Sequence, residues 1–436
     1  MKRQAGFYGW KLLVVLWLIV VINLSFPLFG GGVIGAYMAA DLHFDRSTLG
    51  TGFAIFQWMI GLPGPLVAFC LNKTGIRFTM ALGTSLVTIG ALMMALFVHS
   101  GLQVDIVFGV IIGLGAISGG PIAAQSGVGR WFERRKALAI SLMITSTGIG
   151  GFVAPPLLNR VIELSGGNWR AAWWLVCGLS FLATLLALFF VKEKPSDLGQ
   201  FPDGELPAPS VNGSLAAGSE VRRGVYHTAE EWSFSEAVRS SSMWLMLISL
   251  IGFSAGFGMV MSHGVVHLRD LGHTPAQAAY SFSVLSLASL IGALVVAALG
   301  DQFEPRNIFA AGSLAGGVGI LVLLHATGLT GLYLYAALVG IGYGCCMACA
   351  MTIPANYFGH KAYPTVIGLF VAFGNSSAAL AVYAAGYVYD HFGSYARMFY
   401  LIAVFYFGAS VLALFMRPPA RRGVRTLVAA AGGQTD

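Results

Sequence analysis

The chain reads as an all-α polytopic membrane protein with twelve transmembrane helices in two pseudo-symmetric six-helix bundles. Three observations lead there. Hydrophobic residues make up 57% of the 436 and charged residues only 10%, whereas a soluble domain carries about 25% charged residues to keep its surface solvated. The carboxylates fall between long apolar runs rather than in the middle of them, at Asp41, Asp45, Asp270, Asp301, Glu304 and Asp390 and in the stretch 193–236. The chain also repeats itself about its midpoint.

The apolar runs fall at 12–37, 48–71, 78–98, 104–128, 137–160 and 170–191, then at 243–267, 276–299, 307–326, 331–356, 364–386 and 394–416. Each has the roughly 20 residues that a helix needs to cross hydrocarbon. Barrel strands are shorter and alternate with period two, so these runs are helices. Lys2 and Arg3 precede the first run as in a signal peptide, but that run continues to about Tyr37, and a signal h-region spans roughly 7–15 residues. It is the first span.

Between the sixth and seventh runs lies a hydrophilic stretch that opens KEKPSDLGQFPDGE and has no apolar period. Its composition is that of a flexible linker. Its last part, from Ala229 to Ser240, places Trp232, Phe234 and Ala237 on one side of a short amphipathic helix expected at the membrane interface. The expected division is a bundle over 1–191, a linker over 192–240, a second bundle over 241–416 and a tail over 417–436.

Orientation follows from Lys and Arg. With both termini cytoplasmic, that side receives 20 of the 25 basic residues, and the other side keeps Arg46, Arg160, Arg170, Arg269 and Arg397. This is the positive-inside asymmetry, and it predicts a multi-pass protein of the cell membrane (inner or plasma membrane). The repeat runs from Asp41–Arg77 onto Asp270–Arg306 without gaps, at an offset of 229, and Trp131–Phe132 correspond to Tyr357–Phe358. Two parallel six-span repeats are the architecture of alternating-access carriers.

Other classes lack support. The net charge of +7 is spread over helix ends, without the basic, aromatic-interleaved patch of a nucleic-acid binder. Cys70, Cys177, Cys345, Cys346 and Cys349 all lie in apolar runs and read as packing residues. There is no nucleophile elbow, phosphate-cradling loop with lysine or metal-spaced His/Cys cluster. An enzyme, a metal, a cofactor and an ATP-driven pump are therefore not expected, and any energy would come from a solute or ion gradient.

The loop after span 2, NKTGIR (72–77), resembles the signature loop of the major facilitator superfamily, Asp-Arg/Lys-x-Gly-x-Arg/Lys. The resemblance implies the major facilitator fold and a conformational latch involving Asn72, Lys73, Arg77, Asp301 and Arg306. Asn72 stands where the family has its acid, and the second copy, DQFEPR (301–306), has Glu304 where the family has glycine. GFYGW (6–10), RWFERRKALA (130–139) and the start of the linker are similar to the bacterial monocarboxylate porter and oxalate–formate antiporter branch. GIGGFVAPP (148–156) resembles the superfamily's Gly-Pro motif. Read physically, its glycines let a neighbouring helix approach closely, and Pro155 and Pro156 permit bending.

The interior is short of charge. No Asp, Glu, Lys or Arg falls in mid-span by these boundaries, whereas members of the resembled branch commonly hold the substrate carboxylate with a basic residue in span 8 or 11. Span 8 offers Ser281, Ser283, Ser286 and Ser289. The candidate substrate contacts are Asn23, Gln57, Ser146, Thr147, Tyr343, Asn375 and Ser376. Each also reads as an interhelical tie or core packing, a tie being worth about 0.6 kcal/mol. His263, four residues from His267 on one helix face, is the proton-coupling candidate, because histidine titrates near neutral pH. It also reads as an interfacial side chain wetted by the outer vestibule.

The expectation is a secondary transporter of a small monocarboxylate or related organic anion, by proton symport or exchange for a counter-anion, monomeric and with no nucleic-acid partner. Efflux of a neutral or amphiphilic solute is the alternative within transport. A transporter-like receptor is the alternative outside it, and the tail 417–436 is short for a signalling domain.

Overall fold

Lipid offers the backbone no hydrogen-bond partners, so a chain this apolar folds into helices that satisfy themselves. The computed structural model describes residues 6–133, 135–204, 225–226, 228, 232–300 and 302–419. Its crossing helices are α1 (Gly9–Asp41), α2 (46–74), α3 (76–96), α4 (Gly101–Trp131), α5 (Lys136–Leu164), α6 (Trp169–Phe190), α7 (Ser241–Asp270) and α8 (Pro275–Leu299). They continue as α9 (Pro305–Leu324), α10 (Leu329–Gly359), α11 (Thr365–Phe392) and α12 (Ala396–Phe415). Among the described residues eleven helical segments are long and apolar enough to cross a membrane. α2 completes the twelve. It is interrupted at Leu62–Pro63, and only Gly75, at φ 87°, turns the chain from α2 into α3. Gly359, at φ 69°, makes the same kind of tight turn between α10 and α11. A side chain at either position would be strained.

Proline explains two further irregularities. α1 widens into a π-turn over Val21–Ser25 just before Pro27, which has no N–H to return to the carbonyl of Asn23. α4 breaks at Gly119–Gly120, ahead of Pro121. An even number of crossings puts the start of α1 and the end of α12 on one face, called inner below; the opposite face is called outer.

The buried apolar side chains divide unevenly. Those of α7–α12 form one continuous core with the outer part of the first bundle, around Phe29, Phe53, Phe56 and Phe108. The inner part of the first bundle, around Leu16, Ile76, Trp131 and Ala187, packs as a separate cluster. The two halves therefore touch toward the outer face and part toward the inner one. α2 records the same division: its outer half buries Leu49, Phe53, Phe56 and Gln57, while its inner half buries only Val67 and Leu71.

Each end of the linker is tied to its own half. Gln200 bonds the backbone of Tyr8, and Asp203 accepts from the amide of Glu133. At the other end Thr228 and Trp232 donate to the carbonyls of Asn356 and Phe358. The short helix covers Phe234–Val238, opened by a Ser233–Glu236 capping box. Trp232 and Ala237 are buried, but Phe234 faces outward, so the three do not share one face as the sequence suggested. Residues 229–231, most of the linker and tail residues 420–436 lie outside the described residues.

Candidate functional site

The outer seal is made mainly by the start of α2 against the end of α11. Asp390 accepts from the amides of Arg46 (3.0 Å) and Ser47 (2.8 Å), and Arg46 Nη2 pairs with Asp270 Oδ1 at 3.0 Å. The Arg46 guanidinium also lies 5.1 Å from the Tyr389 ring centre, and Arg269 lies 4.9 Å from that of Tyr37. The backbones come very close here. A Cβ built on Gly386 would meet Arg46 O at 2.5 Å, and one on Gly50 would meet Val382 O at 2.9 Å. One further bond joins the halves, from Ser283 Oγ on α8 to Phe152 O on α5, at 2.6 Å. Among the described residues, every hydrogen bond between halves thus lies at the outer face or between it and mid-depth.

Beneath this seal, two seams carry most of the candidate contacts. On the α2–α11 seam, Gly61 lets Asn375 approach so closely that a Cβ would sit 2.6 Å from its Cβ. Gln57, one turn earlier on the same face of α2, is 7% exposed, and its Oε1 is buried without a partner. Asn375 Nδ2 bonds back to Val371 O of its own helix at 2.9 Å, and Ser376 beside it is half-buried. On the α5–α8 seam, Ser286 Oγ is buried and unpartnered against Gly151. Nearby on α5, Ser146 bonds its own helix at Met143 O, and Thr147 is half-buried.

The other candidates lie apart from these seams. Asn23 is fully buried inside the first bundle, where its Nδ2 donates to Gly115 O at 2.9 Å and its Oδ1 has no partner. It ties α1 to α4. Tyr343 stacks on Phe257 with ring centres 3.5 Å apart. His263 is fully buried rather than wetted: Nδ1 lies 3.1 Å from Tyr395 Oη and Nε2 lies 3.0 Å from Val382 O. A neutral ring fits these partners, donating to the carbonyl through Nε2–H and accepting the phenol's hydrogen at Nδ1. Gly50 of α2 covers it, so opening the seal would uncover the imidazole.

At the inner face Asn72, Lys73 and Arg77 are exposed, and Asp301 lies outside the described residues. Arg306 donates to Met416 O. The sequence reading missed the acid that serves the first loop, Glu193, at the start of the linker. Its carboxylate accepts from the amides of Ile76 (3.0 Å) and Arg77 (2.8 Å) and pairs with Arg130 at 2.9 Å. Asp105 was also passed over. α4 starts at Gly101, which places this carboxylate in its second turn, with Oδ1 buried, unpartnered and facing Gly52. Among the described residues, no three His, Cys, Asp or Glu are grouped to hold a metal.

The Major Facilitator Superfamily model matches residues 15–269 and 255–432. Monocarboxylate transporter 12-B of Danio rerio is 23% identical over 394 residues, covering 86% of this chain and 80% of that protein. Monocarboxylate transporter 13 of Bos taurus is 26% identical, covering 79% and 75%. The fujikurins efflux protein of Gibberella fujikuroi is 30% identical over a shorter stretch, 36% of this chain and 33% of that one. The solved nucleoside transporter NupG superposes with a TM-score of 0.70 at 14% identity, covering 93% of this chain and 99% of that one. A bacterial homolog of the human lysosomal transporter Spinster, solved inward-facing and unoccupied, gives a TM-score of 0.66 at 14% identity, covering 98% and 96%. At such identities the two structures speak for the fold alone.

Proposed function

The chain belongs to the Major Facilitator Superfamily, and from that premise we propose that it is a secondary active transporter of a small monocarboxylate or related organic anion. It works by alternating access, with proton symport or anion exchange. The observation that carries the reading is the placement of Gln57 and Asn375 on a closely packed seam directly beneath a sealed outer face, with the halves parted on the inner side. Rocking of the halves would break the seal and expose the same seam to the other face.

The carboxylate is favoured by the monocarboxylate transporters among the relatives. The motifs GFYGW and RWFERRKALA are the reason to place the chain in the bacterial monocarboxylate porter and oxalate–formate branch. With no cation on the seam, the anion would be bound by neutral donors, the amides of Gln57 and Asn375 and the hydroxyls of Thr147, Ser286 and Ser376. Neutral donors are worth about 1 kcal/mol each, which fits a carrier that must also release its cargo. His263 would take up a proton when α2 leaves it. The excess of Lys and Arg on the inner face supports the cell membrane with cytoplasmic termini, and the carrier is proposed to act as a monomer.

Efflux of a neutral or amphiphilic solute is the second reading, favoured by the uncharged seam and the fungal efflux relative. Uptake of a carboxylate panel into proteoliposomes, with and without a pH gradient, separates the two. Saturable carboxylate uptake is expected. No uptake of any carboxylate, combined with binding of hydrophobic cations, would sink the first reading and leave the second.

A further inference from the structure

A helix begins with free backbone N–H groups that need an acceptor. The repeat lets one see how this need is met at the same place in both halves. At the start of α8, Thr274 and Gln277 form a reciprocal capping box: Thr274 Oγ1 accepts from the amide of Gln277, and the Gln277 side chain accepts from that of Thr274. The repeat offset carries these positions onto Asp45 and Thr48 at the start of α2. Asp45 has the extended backbone of an N-cap, but its carboxylate caps nothing. The amides of Arg46 and Ser47, the first two of the helix, go to Asp390 near the outer end of α11 in the other half, 344 residues from Arg46.

We infer that Asp390 is a positioning residue of the transport cycle, the N-cap of α2 supplied from the opposite half, which holds the outer face closed at rest. The first bundle has given up its own cap, so parting the halves on the outer side leaves two helix-end amides and a carboxylate without each other. α8 loses nothing of the kind, since its capping box lies within its own half and Pro275, at the place of Arg46, has no N–H to satisfy. Toward the inner face no hydrogen bond joins the halves among the described residues, so the interaction is one-sided and favours the inner-open state. This inference rests on the alternating-access reading, but its test reads conformation without substrate, so it can fail while transport stands.

Spin labels report the two faces after Cys70 and Cys177 are replaced. Leu164→Cys with Thr327→Cys spans the outer face, and Ser196→Cys with Gln302→Cys spans the inner face; all four positions are exposed. Asp390→Ala should move the outer-closed to outer-open ratio about fivefold toward open, the fold-change of an N-cap worth ~1 kcal/mol. Asp390→Asn should open the outer face nearly as far, because the two amides go to different carboxylate oxygens and Asn keeps one acceptor while turning an N–H donor toward the other amide. Arg46→Pro, copying Pro275 of α8, removes one of the two amides; measured against Arg46→Ala, which loses only the side chain, it should open the outer face further and leave Asp390→Ala less to add. Arg46→Pro against Arg46→Ala, together with Asp390→Asn, decides the matter if Asp390→Ala does not fold. Unchanged distances in Asp390→Ala, an Asn variant as closed as the unsubstituted protein, or Arg46→Pro no more open than Arg46→Ala would each overturn the assignment.

Discussion

Replacing Gly386 by alanine should open the outer face by steric force alone. Gly386 lies on α11, where the halves meet, and a Cβ there would sit 2.5 Å from Arg46 O and 2.7 Å from Ser47 Cα. Both are backbone atoms of the other half, so no side chain can turn away to make room. Relief requires the start of α2 to back off by several tenths of an ångström, in the direction of opening. Overpacking of this kind costs about 1–3 kcal/mol, or roughly a 5- to 150-fold fall in the closed-to-open ratio. Alanine also favours a helix over glycine by about 0.8–1.0 kcal/mol in both states. The fold itself should therefore be no less heat-stable. Gly344→Ala is the control: its Cβ would meet Ser289 O at 1.9 Å within one half, so it should lower thermal stability and leave the conformational ratio alone. Distances across the outer face, paired with thermal melting, read both effects. If Gly386→Ala melts early with its outer distance unchanged, the seam is not a moving boundary and the rocking scheme is wrong.

Three more outcomes follow from the same geometry. Asn375→Ala and Gln57→Ala, on the α2–α11 seam, should each raise the half-saturation concentration about 5- to 10-fold, a lost hydrogen bond of ~1–1.5 kcal/mol; unchanged uptake kinetics in both would remove the seam as the binding site. His263→Gln keeps a donor toward Val382 O but cannot titrate, so gradient-driven accumulation should fall about tenfold or more while exchange persists; equal loss of both would mean a packing role only. Arg46→Ala removes the pair with Asp270, whose side chains are 22% and 34% exposed. A pair this exposed is worth about 0.2–1 kcal/mol, so the outer-open population should rise no more than about fivefold, and less in high salt.

The twelve crossings, the six-plus-six division and the family were readable from residue order alone. Lipid forces every crossing to be a long self-bonded helix, and such helices are marked by apolar length and by charges at their ends. The break in α2 at Leu62–Pro63 was not read, since the apolar run 48–71 continues through it. Which polar side chains meet was not readable, because depth along a helix does not fix its rotation or its neighbour. Asn23 and Asn375 stood at similar depth in the sequence, yet one ties α1 to α4 and the other sits against Gly61 across the seam. His263 looked like a vestibule side chain until α2 was found lying over it. Asp390 seemed one more charge at a helix end. Only the packing of α11 on α2 brings it to the amides of Arg46 and Ser47, because hydrogen bonds reach about 3 Å and only the tertiary fold brings groups so distant in sequence within that range.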